Sequence, residues 1–261
     1  MKFKILAVFC LVLVSVTTVN AGSDQSYNDF LGYYRNYQNQ LSPFNVAKSK
    51  YLTYGSVISQ GEYLDAAKNL INSEIASING FTLFLIDYLN EANETIGLTE
   101  NNVLVKLSDL QSRTSSLSGR QNLVDSLESA QIVMLEVKDL YGEMYRLAYW
   151  SKSTVESAGV KKIYDNLGIV IPKLGTYIMG LPATYRENQA AREKFRSLEN
   201  SYNLIADDLS SSYIKQKNFD GLKVNPLQTE EEVHKDLQES ISDLYSLILG
   251  YRNILFAVKK G

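Results

Sequence analysis

One histidine and one cysteine are all the imidazole and thiol in this chain of 261 residues. Cys10 lies in an apolar N-terminal run. Beyond it the chain can form no disulfide, no thiolate metal site and no cysteine nucleophile. His234 stands beside Glu231 and Glu232, which suggests a base oriented by a carboxylate. Neighbouring residues on a helix do not face each other, however, so a solvated surface histidine is expected. Zinc needs several His or Cys ligands, which one histidine cannot supply. Asp207-Asp208 and Glu230 to Glu232 lack the spacing and turn glycine of an EF-hand loop, and charged runs of this kind ordinarily form the wet face of a helix. A hydrolase built on paired carboxylates stays open as an alternative, because acids are plentiful and their pairing is invisible in sequence. Such an enzyme needs a pocket shaped by loops, and long loops are few here. The expectation is a protein that is not an enzyme, with no catalytic, cofactor-binding or metal-binding residues.

Two other groups of residues could carry function. Tyrosines cluster early: Tyr27, Tyr33, Tyr34, Tyr37, Tyr51 and Tyr54, followed by Tyr63. Tyrosine supplies rigid, amphipathic contact area, so these residues suggest a protein-binding face. The competing reading is a core stripe of Phe30, Tyr34, Tyr37 and Leu41 with hydroxyls at its wet edge. The second group lies in the apolar segment from Ile163 to Pro182, punctuated by Gly168, Gly175 and Gly180. Ile169, Val170, Ile171, Ile178 and Met179 there suggest a membrane-contacting tip of the kind that helical pore-formers conceal. The analogy is one of architecture only. Leu167, Val170, Leu174, Tyr177 and Leu181 keep helical spacing, and Asp165 and Lys173 oppose insertion, so a buried helix kinked at Pro172 is the competing reading.

The elements that must position these residues are helices. Only four prolines occur, which leaves long stretches free to be helical. From Leu123, apolar residues follow at Leu127, Ala130, Met134, Val137, Tyr141, Met144 and Ala148, the alternating four-three step of a heptad. A second stripe through Val133, Leu140 and Leu147 widens that face, as in a multi-helix bundle. Comparable stripes run from Leu64 to Ala92, from Ala191 to Leu209, and through Val233, Leu237, Ile241, Leu244, Ile248, Tyr251, Leu255 and Val258. No period-two run suggests a sheet. Four capping-box patterns mark helix starts, at Ser59–Glu62, Ser118–Gln121, Thr184–Glu187 and Thr229–Glu232, and Gly97 fits a left-handed C-terminal cap. Helices are expected near 26–42, 44–54, 60–96, 100–116, 119–165, 184–217 and 230–259, with a loop at 218–228. The fold expected is all-α: an elongated multi-helix bundle of long coiled-coil-like helices, forming a single domain over 22–261.

Residues 1–21 read as a signal peptide. Lys2 and Lys4 precede the apolar run from Ile5 to Val16, and Val19-Asn20-Ala21 offers small residues for cleavage after Ala21. The run is shorter than the roughly 20 residues a spanning helix needs. Export to the periplasm, cell surface or medium is therefore expected. Without Lys2 and Lys4 the formal net charge goes from −3 to −5, and no basic patch suggests nucleic acid. Asn93-Glu94-Thr95 is a formal glycosylation sequon.

One resemblance accompanies this reading. The stretch Tyr33-Tyr-Arg-Asn-Tyr-Gln38, then Phe44 through Gly55, then Ser59-Gln60, resembles uncharacterised secreted helical proteins of small-genome candidate-phyla bacteria. The resemblance implies a signal peptide and helices, and it carries over no activity and no functional residue. The function expected from the whole sequence is that of an exported, non-enzymatic adaptor, spacer or protein-binding module at the cell envelope. It would recognise a protein partner, or a second copy, through helical faces. The alternative is a membrane-active bundle that inserts the 163–182 segment.

Overall fold

The structure is a computed structural model and describes residues 22–98, 102–120, 124–220 and 225–258. The leader expected at 1–21 lies outside the described residues. All regular structure among them is helical, so the all-α bundle of long helices is what the chain forms. We number the α-helices α1 (Gly22–Tyr54), α2 (Val57–Ile96), α3 (Asn102–Arg120), α4 (Leu127–Gly180), α5 (Arg186–Gln216) and α6 (Pro226–Ala257), with a 3-10 turn at Lys217–Asp220. Contacts divide the chain into two compact units. Among the described residues, unit 1 holds 22–95, 102–120 and 124–151, and unit 2 holds 96–98, 152–220 and 225–258. The 54-residue α4 contributes to both.

In unit 1 the expected stripes are the core. Ala67, Ile71, Ile75, Ile78, Phe81, Leu85, Tyr88 and Ala92 of α2 are all buried. Val103, Leu107, Leu110 and Leu117 of α3 follow the same four-three step, with Thr114 in the missing slot and its hydroxyl donating to the Leu110 carbonyl. On α4 the buried line is Ala130, Val133, Val137, Leu140, Met144 and Leu147, while Met134 and Tyr141 are half-buried. Two arginines of α3 clip onto α4: Arg113 pairs with Glu143, and Arg120 grips Glu136 with both terminal nitrogens at 2.8 and 3.1 Å.

In unit 2 the core is formed by Ile171 and Ile178 of α4, Ala191, Phe195 and Ile205 of α5, and Val233, Leu237, Leu244, Leu247, Tyr251 and Ile254 of α6. Here α6 departs from expectation. Ile241, Ile248 and Leu255 are 42–48% exposed, and Ser240 and Leu247 are buried in their place. The helix carries two adjacent apolar stripes, and only one of them faces α4 and α5.

Several boundaries also differ from the sequence reading, for physical reasons. The helices expected at 26–42 and 44–54 are one helix with Pro43 inside it. Proline removes the donor that would serve the Asn39 carbonyl, but Pro43 is exposed, and water can serve instead. The helix expected to stop at 165 continues through Pro172 to Gly180. None of the four capping-box residues is an N-cap. Ser56 caps α2, its Oγ accepting from the Ser59 amide at 3.1 Å. Ser126, just before α4, and Ser129, in its first turn, accept reciprocally from each other's amides, both at 3.1 Å. Asn225 caps α6, with Pro226 in the first turn, and Tyr185 precedes α5 with no side-chain cap. In each pattern the serine or threonine is helical or stands just before the helix, and real caps lie at residues without the glutamate signature. Gly97 adopts φ +75° and ends α2 as expected, and Gly55 does the same for α1 at φ +56°.

Two of the three glycines punctuating 163–182, Gly168 and Gly175, have a packing role, whereas a Cβ at Gly180 would meet nothing within 4 Å. A Cβ at Gly175 would meet the Phe195 ring at 2.9 and 3.0 Å, so glycine there lets α5 press against the backbone of α4. Replacing Gly175 with Val should lower stability by about 1–3 kcal/mol through overpacking. Gly159→Ala, where a Cβ meets nothing within 4 Å, should raise it by up to ~1 kcal/mol. Urea midpoints of the two variants against the parent chain check both signs.

Candidate functional site

The tyrosines expected to form one face do not share one environment. Tyr27 packs on Phe30 and Phe84 at 6.3 and 5.3 Å between ring centroids. Tyr34 packs on Phe30 and Tyr37 at 5.9 and 6.2 Å. Those three are inward-leaning residues of the α1–α2 packing; Tyr33 is half exposed with its ring laid against Gly80 of α2, and Tyr54 is exposed. Tyr51 instead stacks on Tyr63 of α2 at 5.7 Å, at the wall of a groove.

That groove, of about 700 Å³, lies between α1, α2 and α4 in unit 1. Helical spacing builds it. Phe44, Lys48 and Tyr51 share one face of α1, four and three residues apart. Tyr63 and Ala67 share one face of α2. Leu127, Ala130, Met134 and Leu135 approach from α4. Phe44 and Tyr63 form its floor, 5.5 Å apart and tilted. Burial and the neighbouring Tyr51 raise the Tyr63 phenol pKa, so its hydroxyl stays protonated and can donate. Leu135 at the mouth is exposed. Lys48, Lys138, Glu128 and Gln131 complete the lining, giving a rim with one surplus positive charge. The groove offers aromatic and aliphatic contact and hydrogen bonds. Its lining contains no histidine, cysteine or carboxylate pair that could act as nucleophile or base. Of its α1 side, only Tyr51 belongs to the tyrosines singled out in the sequence. The α4 side was missed, because Met134 and Leu127 read as ordinary core.

A second cluster in unit 1 is electrostatic. Glu74 of α2 sits in the apolar run between Ile71 and Ile78, and burial pushes its pKa to about 7. Its charge in turn raises the phenols around it. Tyr37 rises to about 12, chiefly by burial and then by Glu74 and Tyr34. Tyr141 is raised chiefly by burial, with Tyr34, Tyr37, Glu74 and Tyr145 adding to it. A carboxyl interrupting the Ile71–Ile75–Ile78 stripe was the signal in the sequence.

Unit 2 holds the histidine. His234 does not pair with Glu231 or Glu232. Its Nδ1 lies 3.3 Å from Glu156 of α4, and its Nε2 lies 2.8 Å from Gln238. It is therefore less solvated than expected, with 42% of the side chain exposed. Glu156, Glu230 and His234 bring one ligand atom each within 4.8 Å of one another. A cation already sits among them: Lys152 Nζ is 2.5 Å from Glu230 and 3.7 Å from Glu156, with the Lys152 and Glu230 side chains each only 8% exposed. The ammonium supplies the positive charge that a metal would bring, and a metal would have to displace it. The cluster therefore fits an ion-pair clasp between α4 and α6.

The apolar 163–182 segment is partly core. Ile171 and Ile178 are buried in unit 2, whereas Ile169, Val170 and Met179 are exposed. Among the described residues no helix is long and apolar enough to cross a membrane. The larger apolar exposure lies elsewhere, at Leu52, Tyr54, Val57 and Ile58. No protein-family model matches this chain, nor does any curated protein or solved structure.

Two measurements probe the buried charges. Because burial favours neutral Glu74, the folded chain holds that proton more tightly than the unfolded one. The stability this gives is fully present below the ordinary pKa of 4.5 and is lost as pH rises through about 7. Glu74→Gln should therefore flatten the pH dependence of unfolding between those values and exceed the parent at pH 8 by roughly 2–3 kcal/mol. Replacing Lys152 with Met should cost about 3–5 kcal/mol by stranding the buried Glu230, and adding Glu230→Leu should restore most of it. A single mutant no less stable than the parent in urea would contradict the clasp.

Proposed function

We propose that this protein is an exported, non-enzymatic helical module that binds a partner protein by seating one amphipathic helix in the groove of unit 1. The observation that carries this reading is the groove itself. Three helices converge on it, yet Tyr51, Tyr63, Met134 and Leu135 are left half-buried or exposed around an open volume. An incoming helix with apolar residues at i, i+3, i+4 and i+7 would complete that packing in the helix-in-groove mode. Tyr51 and Tyr63 are the natural anchors, because a stacked tyrosine pair gives large contact area at low entropic cost. The rim favours a partner helix with an acidic flank, which Lys48 and Lys138 would meet. The N-terminal pattern of Lys2, Lys4 and the Ile5–Val16 run supports export, and an adaptor or spacer at the cell envelope fits all three features.

A photocrosslinking residue at Leu135 tests this in the native cells, with Ile169 in unit 2 as the control position. The expected result is a discrete protein adduct at Leu135 that Tyr63→Glu abolishes, mapping to an amphipathic, acid-flanked helix of the partner. An adduct pattern shared with Ile169, or one indifferent to Tyr63→Glu, would remove the groove as the binding site.

A further inference from the structure

In unit 2, α4 and α6 are joined by two contacts in one register. Lys152 meets Glu230 at 2.5 Å and Glu156 meets His234 at 3.3 Å, and the residues of each pair are 78 apart in sequence. An equal offset at two successive turns means that the helices run parallel. Side chains seven residues on return to the same face after about two turns. The Glu156–His234 contact therefore begins a ladder whose next rungs are Ile163 with Ile241, Val170 with Ile248, and Tyr177 with Leu255. None of these six is in the core: together with Tyr245 of α6 they are 39–63% exposed. The core uses the positions beside them, Ile171 and Ile178 on α4 and Leu244, Leu247, Tyr251 and Ile254 on α6. The third helix, α5, lies against Gly168 and Gly175 of α4 and Gly250 of α6, on the flanks turned away from the ladder. At about 1.5 Å per residue the uncovered ladder is about 21 Å long.

Its pattern suits a second copy of itself. Along α6 the row is Ile241, Tyr245, Ile248, Arg252 and Leu255, with aliphatic residues at both ends and the centre and a ring balancing a cation. A copy laid on it end for end, about a two-fold axis through the Val170–Ile248 rung, sets the first rung of one chain on the last rung of the other. Arg252, and Lys173 of α4 one residue from its level, then come opposite the second copy's Tyr245, where a cation over a ring is favourable. A parallel pairing would set Arg252 against Arg252. The remaining charges do not alter this choice. From Ala158 to Gly180, α4 carries Lys161, Lys162, Asp165 and Lys173, and from Ser240 to Ala257, α6 carries Asp243 and Arg252. Asp165 is engaged by Lys161 at 2.5 Å, and Asp243 lines a separate groove between α5 and α6 with Leu198 and Leu204. Seven large side chains about half exposed leave on the order of 600 Å² for burial, close to the roughly 800 Å² per partner of a standard interface.

We propose that unit 2 pairs with a second copy of this chain through the Ile163–Tyr177 row of α4 and the Ile241–Leu255 row of α6, packed antiparallel about a two-fold axis at the Val170–Ile248 rung. The interface is isologous, so each chain gives and receives the same contacts and assembly closes at two copies. It uses neither the groove of unit 1 nor its partner helix.

Sedimentation equilibrium of the full chain with Cys10→Ser should show a monomer–dimer equilibrium. Ile248→Asp sets two carboxylates together at the axis and should weaken the dimer more than a hundredfold. Ile248 is half exposed, so the circular dichroism of that variant, and its urea midpoint in dilute solution, should match the parent. Arg252→Gln removes the cation from the ring and should weaken pairing about fivefold, while Tyr63→Glu in unit 1 should leave it unchanged. Introduced thiols read the register. Ile248→Cys should crosslink to itself under mild oxidation, whereas Ile241→Cys and Leu255→Cys should crosslink when the two chains are mixed and hardly at all when separate. A chain that stays monomeric up to its solubility limit overturns the proposal. So does a dimer indifferent to Ile248→Asp, one lost with Tyr63→Glu, or self-crosslinking at 241 and at 255 as strong as at 248.

Discussion

The constraint on which the rest of this structure depends is that each long helix must bury one apolar stripe and has only its neighbours to bury it against. The single cysteine stands at position 10, so no disulfide can staple helices that pack badly. Packing alone must offset the chain entropy, at roughly 25 cal/mol for each Å² of apolar surface removed from water. In unit 1 this is met by Phe30, Ile71, Ile78, Leu85, Leu107, Leu110 and Leu147, all almost fully buried. In unit 2 the same demand brings α5 so close to α4 that Gly168 and Gly175 meet Tyr202 and Phe195. A side chain at either position would hold the helices apart and open the cavity that close packing avoids.

Most of the polar groups caught between these stripes are satisfied or neutralised, although Ser153, Ser240 and Tyr251 each bury a hydroxyl with no hydrogen-bond partner. Lys152 and Glu230 enter the same interface and pair. Ser73, Thr82, Thr114 and Ser151 return their hydroxyls to carbonyls three or four residues back. Glu74 has another solution: burial raises its pKa, so that it takes up a proton more readily. These adjustments explain why isolated polar residues in a stripe do not break the fold. They also show why such residues are poor evidence for catalysis. In a chain with no disulfide, a buried lysine–glutamate pair more naturally fixes the register of α4 against α6, the role best attested for buried polar groups.

Periodicity was legible in the sequence because burial imposes it. The α2 stripe from Ala67 to Ala92 is buried residue for residue, and glycine at position 97 takes the left-handed conformation that a helix end demands. What failed were features that periodicity cannot rank. The α6 sequence offers two stripes, and the choice of Leu244–Leu247–Tyr251 over Ile241–Ile248–Leu255 is made by the positions of α4 and α5, which no local pattern records. The capping boxes failed because a serine or threonine within a helix can bond its own preceding turn, as Thr229 does with Asn225 at 3.3 Å, while the N-cap role passes to Ser56, Ser126 and Asn225. On the functional side, the division of the early tyrosines into core, groove and exposed positions depends on partners tens of residues away, which their spacing does not record. Of the Lys152–Glu156–Glu230–His234 cluster, Glu230 and His234 stood out in the sequence, but Lys152 and Glu156 gave no signal, since they lie on another helix far away in sequence.

The groove and the hairpin turn both arise where the packing rule runs out. A helix stripe must end somewhere, and α1 and α2 end together at Gly55–Ser56, so the last apolar residues of each have no third helix to cover them. A protein selected only for stability would place charges there, as the exposed surface elsewhere in α1 does with Asp24, Asp29 and Arg35. Leu52, Tyr54, Val57 and Ile58 instead form an apolar end, immediately after Tyr51, which already lines the groove. One short stretch thus supplies both a wall of the groove and an exposed apolar end, because the helices that close unit 1 do not reach past Tyr51.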